Sequence, residues 1–316
     1  MMNQNQFDVI IMGGGAAGLT AGIYLSRAKS KAVVLDTGMP GGQMILTYEI
    51  ANYPGIEKTT GYQLSATMAK QAKSFGCEVK SNVKVKSMQL EGKTKTVTLE
   101  NGDVFEAPAV ILATGGRSRM LRVPGEEKFK GKGISYCATC DGDFFQDKEI
   151  IVVGGGNSAL EEAVSLTKYA SKVTILHEFD HFQAFEHAVD KAKENPKIDF
   201  IMESHITEFS GENQLNKVVY KNLRTGALNE KKIDGVFIFI GYEANTEVFK
   251  NGPLQLNQWG EILADESMKT NIQGVFAAGD CRAKRFRQIT TAVSDGTIAA
   301  LNALNYIHQK ETQPAQ

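Results

Sequence analysis

The chain has 316 residues, four cysteines and a formal net charge of −1. At roughly 150 residues per domain this length predicts about two domains, each able to bury a core. The near-zero charge argues against a general nucleic-acid-binding protein. No apolar run approaches the roughly 18 residues of a membrane-spanning helix. The first residues lack the basic and apolar regions of a signal peptide, so we expect no membrane association and a cytoplasmic location.

A succession of strand, tight glycine turn, helix and strand occurs twice. The first copy comprises a strand from Phe7, the turn Gly13-Gly-Gly15-Ala-Ala-Gly18, a helix over 19–28 and a strand over 31–35. The second copy, offset by 141 residues, comprises a strand from Glu149, the turn Gly154-Gly-Gly156-Asn-Ser-Ala159, a helix over 160–169 and a strand over 172–176. This succession opens a doubly wound nucleotide-binding fold.

The later elements suggest that the two folds are nested. Further strands are predicted at 83–88, 94–100, 104–106, 109–113, 235–240 and 274–278, followed by a helix over 289–307. The last strand and helix have no counterpart in the second copy, so we assign them to the first domain. The prediction is an α/β protein with two doubly wound Rossmann-like nucleotide-binding domains, the second inserted into the first. The predicted boundaries are 1–118 and 247–316 for the first domain and 119–246 for the inserted one.

The first glycine turn has the pattern of a dinucleotide site. Gly13 allows a tight turn, Gly15 lets a pyrophosphate approach the backbone, and Gly18 lets helix and strand pack closely. The pyrophosphate would lie at a helix N-terminus, which favours anions. Asp36 follows the second strand and can accept hydrogen bonds from ribose hydroxyls. The alternative is a mononucleotide or purely structural turn.

The second glycine turn predicts a second nucleotide site. Gly154 and Gly156 match the first two glycines, and Ala159 replaces the third, which the pattern allows. Asn157 and Ser158 open the following helix. The alternative is a vestigial turn that binds nothing.

The segment Cys137-Ala-Thr-Cys140-Asp141 is the predicted chemical centre. Two cysteines at this spacing can close a small disulfide or act as reactive thiols, and Asp141 is a candidate proton donor or acceptor. The alternatives are half a zinc site and two unrelated buried thiols. Zinc needs four ligands, and Asp141 and Gly142 indicate a turn rather than a buried core segment. The remaining cysteines, Cys77 and Cys281, are single and distant, and we expect them to be buried hydrophobic side chains.

Three other segments carry weaker signals. Gly41-Gly42-Gln43 follows the first unit. Glycines there would let the backbone approach a ring system, but the same pattern is equally typical of an ordinary loop. Asp280 ends a late strand and could bind a sugar-alcohol chain, while Arg287-Gln288 precede a helix start that could lie near an electron-rich ring; helix capping is the alternative. The five histidines show no ligand spacing, and we expect them at the surface.

Together these motifs resemble the low-molecular-weight thioredoxin reductase family of flavoproteins, along nearly the whole chain. The most specific mark is the Cys-Ala-Thr-Cys-Asp stretch just before the second glycine turn. The resemblance implies FAD on the first domain, a pyridine nucleotide on the inserted domain, and a homodimer. It implies that FAD is bound by Gly13, Gly15, Ala16, Ala17, Gly18, Asp36, Gly41, Gly42, Gln43, Asn52, Ala113, Thr114, Gly115, Gly279, Asp280, Arg287 and Gln288.

The resemblance also implies a mechanism. Hydride passes from the nicotinamide to the flavin, and the reduced flavin reduces the Cys137–Cys140 disulfide. Cys140 faces the flavin, Cys137 attacks the disulfide of a partner protein, and Asp141 moves the proton. The implied partner is thioredoxin, a glutaredoxin-like protein or a peroxidase-linked disulfide carrier. The domains rotate between two forms, with hinges near Arg119 and Gly241.

One segment departs from the family pattern. After the second strand, NADPH-using members read His-Arg-Arg-Asp-x-Phe-Arg-Ala, and the arginines hold the 2′-phosphate. Here Glu178, Phe179 and Gln183 stand at the arginine positions, and no arginine occurs between Arg122 and Arg224. A phosphate prefers a guanidinium fork, whereas Glu178 would repel it and accept a bond from a free 2′-hydroxyl. We therefore predict that Gly154, Gly156, Asn157, Ser158 and Glu178 bind NADH rather than NADPH.

Other functions remain open at this stage. The enzyme could be reduced by ferredoxin or another non-nucleotide donor, as some relatives are. It could run in reverse as a dithiol oxidase that passes electrons to oxygen. A non-catalytic redox sensor that holds FAD is a third possibility. The leading interpretation is an NADH-dependent flavoprotein disulfide reductase.

Overall fold

The computed structural model describes residues 5–47 and 50–312. The chain divides into two compact units. The outer unit comprises Met1–Arg117 and Glu243–Gln316, and the inserted unit comprises Ser118–Tyr242. The domain boundaries predicted from the sequence are 118/119 and 246/247, whereas the chain passes from one unit to the other at 117/118 and 242/243.

The first part of the chain contains the strands β1 (Val9–Met12), β2 (Ala32–Leu35), β3 (Glu78–Lys80), β4 (Val85–Gln89), β5 (Lys95–Leu99), β6 (Val104–Ala107), β7 (Ala109–Leu112) and β8 (Gly116–Ser118). Its helices are α1 (Ala16–Arg27) and α2 (Gly61–Ser74), and a 3-10 turn spans Gly42–Leu46.

The inserted unit follows. Its helices are α3 (Glu126–Phe129), α4 (Ala138–Asp141), α5 (Asn157–Leu166) and α6 (Glu186–Lys193), with a 3-10 turn at Gly142–Phe145. Its strands are β9 (Ile134–Ser135), β10 (Glu149–Val153), β11 (Lys172–Leu176), β12 (Ile198–Ile201), β13 (Ser204–Gly211), β14 (Leu215–Asn222), β15 (Leu228–Lys232) and β16 (Gly235–Ile238). The last part contains β17 (Tyr242–Ala244), β18 (Val275–Ala277), α7 (Ile289–Thr312) and 3-10 turns at Glu247–Phe249 and Gly279–Cys281.

The outer unit is built on a parallel five-stranded sheet in the order β18-β7-β1-β2-β3. Alternate residues of β1 enter two different cores, because successive side chains of a strand point to opposite faces. Val9 and Ile11 pack with residues of α1, α2 and α7, whereas Ile10 and Met12 pack with residues of the antiparallel sheet β4-β5-β6. Burial on both faces explains why the central strands read as continuous apolar runs.

The inserted unit repeats this plan. Its parallel sheet has the order β12-β11-β10-β16-β9. Ile150 and Val152 of β10 pack with residues of α5 and α6, and Ile151 and Val153 pack with residues of the antiparallel sheet β13-β14-β15. The structure confirms the predicted α/β architecture with two Rossmann-like folds. Among the described residues, no helix has both the length and the apolar character needed to cross a membrane.

Several boundaries differ from the prediction. The helices that follow the two glycine turns begin three residues earlier than predicted, at Ala16 and Asn157. Gly15 and Gly156 are extended N-cap residues that directly precede these helices. The predicted strand 235–240 ends at Ile238. The last helix continues past residue 307 to Thr312.

Helices α1 and α7 approach each other closely at Gly296. A methyl group added there would lie 2.9 Å from the carbonyl carbon of Ala17, which is closer than real contacts allow. Small residues on both helices, among them Ala17, Ala299 and Ala303, are fully or almost fully buried. The backbone of α1 is therefore held directly against α7.

We predict that Gly296→Ala destabilises the protein although alanine is the better helix former. Helix propensity alone would stabilise the variant by about 1 kcal/mol, but overpacking at a rigid backbone contact typically costs about 1–3 kcal/mol. Urea unfolding should show a net loss. The control is Leu301→Ala on the exposed side of α7, for which we expect a change within about 0.5 kcal/mol. An equal or higher stability of Gly296→Ala would contradict this packing.

Candidate functional site

In the outer unit, the predicted cofactor residues follow the carboxyl ends of four adjacent strands. Gly13 follows β1, Asp36 follows β2, Ala113 follows β7, and Gly279 lies two residues beyond β18. These strands are neighbours in the sheet and run parallel. Their carboxyl ends therefore meet at one edge, which is where open α/β sheets bind ligands.

The glycine turn after β1 has no room for side chains at two positions. Gly13 has φ +103°, and an added Cβ would lie 2.8 Å from the carbonyl carbon of Ala113. A Cβ at Gly18 would lie 3.0 Å from the carbonyl carbon of Gly13. At Gly15, by contrast, an added Cβ would meet nothing within 4 Å. The space at Gly15, at the start of α1, is where a pyrophosphate could approach the backbone; Ala16 and Ala17 form the first turn of that helix.

Asp36 is joined to the turn by its carboxylate. Its Oδ2 accepts a hydrogen bond from the N–H of Gly14, and its Oδ1 accepts one from the N–H of Gly38 at 2.7 Å. These bonds fix the carboxylate beside the turn. Its remaining lone pairs can accept ribose hydroxyls.

Gly41 and Gly42 lie against the same turn. The N–H of Gly41 donates to the carbonyl of Gly14 at 2.7 Å. Both residues have positive φ values, +135° and +55°, which glycine adopts without strain. Gln43 follows and is exposed. The loop therefore forms a wall beside Gly15, and a Cβ added at Gly42 would lie 3.2 Å from the Cα of Gly15.

Hydrogen bonds within the outer unit hold the segment Ala113-Thr114-Gly115 in place, whereas Asn52 lies in an exposed loop. Asn245 holds the segment, because its N–H donates to the carbonyl of Gly115 at 2.9 Å and its Nδ2 to that of Thr114 at 3.0 Å. Asn52 is exposed in the loop between Ile50 and Thr59. Within the described ranges, no hydrogen bond joins Asn52 to the other predicted residues.

Asp280 has the clearest unused hydrogen-bonding capacity among the predicted cofactor residues of the outer unit. Its Oδ1 is buried and has no hydrogen-bond partner in the described part of the chain; the Nζ of Lys284 is 3.9 Å away. Burial raises the pKa of this carboxyl, an effect that Lys284 and Arg287 oppose. A buried oxygen without a partner is costly, so this position fits a ligand hydroxyl.

Asp295 organises the turn that carries Asp280, and the sequence analysis did not identify this residue. The carboxylate of Asp295 is nearly fully buried and its Oδ2 accepts from the N–H of Gly279 at 3.1 Å, from Arg282 Nε at 3.1 Å and from Lys284 Nζ at 2.8 Å. This residue lies inside α7, where an acid is usually a surface residue. Only the fold brings it to β18.

Arg287 and Gln288 are fixed by neighbours in the fold. The guanidinium of Arg287 pairs with the carboxylate of Glu261, a second residue that the sequence analysis missed. Gln288 directly precedes α7 and its carbonyl accepts from the N–H of Ala292 at 3.0 Å. Gln288 is thus the N-cap residue of α7.

The inserted unit has a corresponding glycine turn after β10. Gly154 has φ +133°, and an added Cβ would lie 3.0 Å from the carbonyl carbon of Phe239. Asn157 Oδ1 accepts from the N–H of Phe185 at 2.7 Å, and Ser158 is exposed in the first turn of α5. The start of α5 therefore offers N–H groups to an anion as α1 does.

His177 occupies the position in the inserted unit that Asp36 has in the outer unit. Contrary to the expectation that the histidines lie at the surface, it is buried, because its ring packs against Gly155 and stacks on Phe182 at 5.8 Å between ring centroids. Burial lowers the pKa of its imidazole below the usual 6.5, so the ring is neutral at pH 7. Its Nε2 is buried without a hydrogen-bond partner in the described part of the chain.

The segment after His177 loops back to the glycine turn. Glu178 and Phe179 are exposed, and the chain returns at Gln183, whose N–H donates to the carbonyl of Gly155 at 2.8 Å. The three residues at the arginine positions of the family pattern therefore flank the mouth of the second turn. None of them is cationic.

Cys137 and Cys140 form a disulfide. Cys137 is the N-cap residue of α4, and its carbonyl accepts from the N–H groups of Cys140 and Asp141 at 3.3 and 3.2 Å. Both cysteines are half-buried, whereas Thr139 between them is exposed. The disulfide therefore lies in a tight turn within reach of solvent.

Asp141 lies in a setting suited to proton transfer. Burial raises the pKa of its carboxyl, and Asp143 adds to this effect, while a hydrogen bond from Ser135 opposes it. The Ser135 hydroxyl is 2.6 Å from Asp141 Oδ2. A carboxyl whose pKa is raised keeps its proton to higher pH than a free carboxyl does, which suits it to proton transfer. The sequence analysis missed Ser135.

Cys77 and Cys281 are free and buried, as expected. Burial raises the pKa of the Cys77 thiol to about 11 and also raises that of Cys281. Thiols with raised pKa values are poor nucleophiles. The disulfide-bonded pair Cys137 and Cys140 therefore remains the candidate for reactive sulfur chemistry. Within the described ranges, no group of three or more His, Cys, Asp or Glu side chains could hold a metal ion.

Comparisons with known proteins agree with this geometry. Residues 7–296 match the pyridine nucleotide-disulphide oxidoreductase family. The chain is 46% identical over 311 residues to the thioredoxin reductase of Peptoclostridium acidaminophilum, covering 96% of this chain and 98% of that protein. It is 42% identical over 310 residues to the thioredoxin reductase of Bacillus subtilis, covering 98% and 97%.

A solved structure shows the same fold. The thioredoxin reductase of Streptococcus pyogenes is 40% identical and superposes with a TM-score of 0.91, over 96% of this chain and 99% of that one. The family match and these similarities extend over nearly the whole chain. The chain therefore belongs to the pyridine nucleotide-disulphide oxidoreductase family, as a flavoprotein disulfide reductase of the low-molecular-weight thioredoxin reductase type.

Proposed function

We propose that this enzyme passes electrons from NADH, through FAD and the Cys137–Cys140 disulfide, to a thioredoxin-like protein. The observation that carries the donor assignment is the loop at the second glycine turn, where Glu178, Phe179 and Gln183 stand at the arginine positions of the family pattern. The disulfide beside a half-buried carboxyl supports the acceptor half of the reaction.

The outer unit would hold FAD, which supplies the electron pair that opens the disulfide. The N–H groups at Gly15 and the start of α1 fit the pyrophosphate. The carboxylate of Asp36 fits the adenosine ribose, and the buried Oδ1 of Asp280 fits a hydroxyl of the ribityl chain. The remaining proposed FAD residues are Gly13, Ala16, Ala17, Gly18, Gly41, Gly42, Gln43, Asn52, Ala113, Thr114, Gly115, Gly279, Arg287 and Gln288.

The inserted unit would hold the pyridine nucleotide at its own glycine turn. Gly154, Gly156, Asn157 and Ser158 would form the pyrophosphate site. Glu178 would accept a hydrogen bond from the 2′-hydroxyl of the adenosine ribose. The buried Nε2 of His177 is a second polar atom with capacity for a hydroxyl.

Charge favours NADH at this site. A 2′-phosphate carries close to two negative charges and binds best to a guanidinium fork. Glu178 adds a negative charge, and the His177 ring is neutral at pH 7 because burial lowers its pKa. Because Glu178 is exposed, solvent screens its repulsion of a 2′-phosphate to about 1 kcal/mol or less, which adds to the lack of guanidinium groups at positions 178, 179 and 183.

The thiol–disulfide exchange with the partner protein would take place in two steps. The Cys137 thiolate attacks the partner disulfide and forms a mixed disulfide, while protonated Asp141 gives its proton to the departing partner thiolate. The Cys140 thiol then gives its proton to Asp141, and its sulfur attacks Cys137 Sγ. The second partner sulfur leaves and takes that proton. The enzyme regains its disulfide, and the partner gains two electrons and two protons.

The partner would be thioredoxin or a thioredoxin- or glutaredoxin-like protein. The names of the similar proteins support thioredoxin. The homodimer and the cytoplasmic location predicted from the sequence stay predictions, as does the assignment of the two cofactors to residues 1–118 with 247–316 and to 119–246.

We predict that Gly15→Ala lowers the FAD content and leaves the fold intact. The added methyl meets no protein atom within 4 Å, but it fills the space through which a pyrophosphate approaches the backbone. Absorbance of the purified variant should show at least a several-fold loss of bound FAD, with an unchanged far-UV spectrum. Gly252→Ala, at an exposed glycine of the same unit, is the control. Full FAD content in Gly15→Ala would contradict the placement.

We further predict that arginines at positions 178, 179 and 183 create NADPH use. The triple variant Glu178→Arg, Phe179→Arg and Gln183→Arg should raise kcat/KM for NADPH by at least about tenfold, as expected from about 1.4 kcal/mol of added transition-state binding. Its kcat/KM for NADH should fall, because Glu178 no longer binds the 2′-hydroxyl.

A matched triple variant controls for general charge. Glu212→Arg, Gln214→Arg and Leu228→Arg change the same charges at exposed positions around the antiparallel sheet of the inserted unit. This control should keep the native cofactor preference. If both triple variants respond alike, or if neither changes the NADPH rate, the placement of the 2′-position at residues 178–183 is wrong.

A further inference from the structure

Ser135 links the two groups that take part in the disulfide exchange. Its Oγ lies 2.6 Å from Asp141 Oδ2, 3.3 Å from the carbonyl oxygen of Cys137, and accepts a hydrogen bond from the N–H of Cys137 at 3.1 Å. One hydroxyl thus contacts both the backbone of the attacking cysteine and the carboxyl that exchanges protons. Ser135 itself is 5% exposed.

The sheet, and not the disulfide loop, fixes the position of this hydroxyl. Ser135 is the last residue of β9, which pairs in parallel with β16 through Phe237↔Ser135. Cys137, Cys140 and Asp141 belong to the following turn and to α4. When the disulfide opens, the turn loses its covalent restraint, and the hydrogen bonds of Ser135 to Cys137 and Asp141 can still tie the turn to the sheet.

The hydroxyl can also adapt to the charge of Asp141. A serine has one proton to donate and two lone pairs to accept with. It donates to Oδ2 when the carboxylate is ionised, and hydrogen bonds to an ionised acceptor are the stronger ones. When Asp141 is protonated, the carboxyl can donate to Oγ, and the serine proton is free to turn to the Cys137 carbonyl. Both protonation states therefore keep a hydrogen bond.

The surrounding charges do not replace this bond. The 3-10 turn that follows α4 and helix α5 make the largest contacts with α4, and their charged residues are Asp143, Glu161 and Glu162. All three are acidic, and Asp143 disfavours the ionised form of Asp141. The Ser135 hydroxyl, in contrast to these acidic residues, donates a hydrogen bond that stabilises the Asp141 carboxylate.

We propose that Ser135 is a positioning residue of the disulfide exchange, which holds the Asp141 carboxyl against the Cys137 turn and stabilises its ionised form. The proposal rests on the exchange mechanism proposed above. Protonated Asp141 donates in that mechanism, so the exchange rate should fall as the pH rises through the pKa of Asp141. Removal of the serine hydroxyl destabilises the carboxylate and raises this pKa.

The test is the pH profile of exchange measured on FAD-bound enzyme that dithiothreitol has reduced and from which the reductant has been removed. Stopped-flow mixing with oxidised thioredoxin or with an aromatic disulfide gives the rate without any pyridine nucleotide. In Ser135→Ala, the high-pH fall of the rate should move up by about one pH unit, with a several-fold lower plateau. Ser135→Thr keeps the hydroxyl and should restore the native profile.

Two references separate the possible outcomes. Ser204→Ala removes another buried hydroxyl of the inserted unit, bonded to a backbone carbonyl at 2.9 Å, and should leave the profile unchanged. Asp141→Asn should abolish the high-pH fall. A Ser135→Ala profile lowered equally at all pH values, or not altered, overturns the positioning role. Absence of exchange in the native reduced enzyme would instead overturn the proposed function. If Ser135→Ala does not fold, Ser135→Thr compared with Ser135→Gly decides the same question.

Discussion

The structure depends on a steric constraint that occurs once in each unit. The first glycine of each turn stands against the carbonyl that follows a neighbouring parallel strand, Ala113 for Gly13 and Phe239 for Gly154. No Cβ fits at either position, and both glycines have positive φ values that other residues avoid. This close crossing turns the chain sharply from strand into helix. It leaves the helix N-terminus open at the carboxyl edge of the sheet, where an anion binds.

The two units share this frame but differ at the residue after the second strand. In the outer unit Asp36 binds the N–H of Gly14, and a carboxylate is fixed beside the turn. In the inserted unit the corresponding residue is His177, whose neutral ring packs against Gly155. The carboxylate of Glu178 lies one residue further and is exposed. Under the proposed function, nucleotide choice in the inserted unit depends on this surface loop, which can change without altering the sheet.

The fold was largely predictable because its signals are local. Apolar runs, glycine turns and the constant offset between Gly13 and Gly154 defined both units, and the strand ends differed by only a few residues. The disulfide could be foreseen as a possibility from the spacing of Cys137 and Cys140. Local spacing also placed Asp141 beside it.

What the sequence could not predict depends on long-range contacts. Asp295 and Glu261 have no distinctive local pattern, and only the sheet order brings Asp295 to Gly279 and Glu261 to Arg287. Ser135 precedes the cysteine motif but shows its role only through the 2.6 Å contact with Asp141. His177 is buried because it packs against Gly155 and Phe182. The expectation that all histidines lie at the surface did not take this packing into account.

The most direct test of the account is anaerobic reduction of the bound flavin. The FAD-loaded protein is mixed with NADH, and separately with NADPH, at matched concentrations, and bleaching of the oxidised flavin band is followed. The account predicts fast bleaching by NADH and slow bleaching by NADPH. Equal or faster bleaching by NADPH would contradict the role given to Glu178. Bleaching by neither would show that the second glycine turn does not supply the electrons.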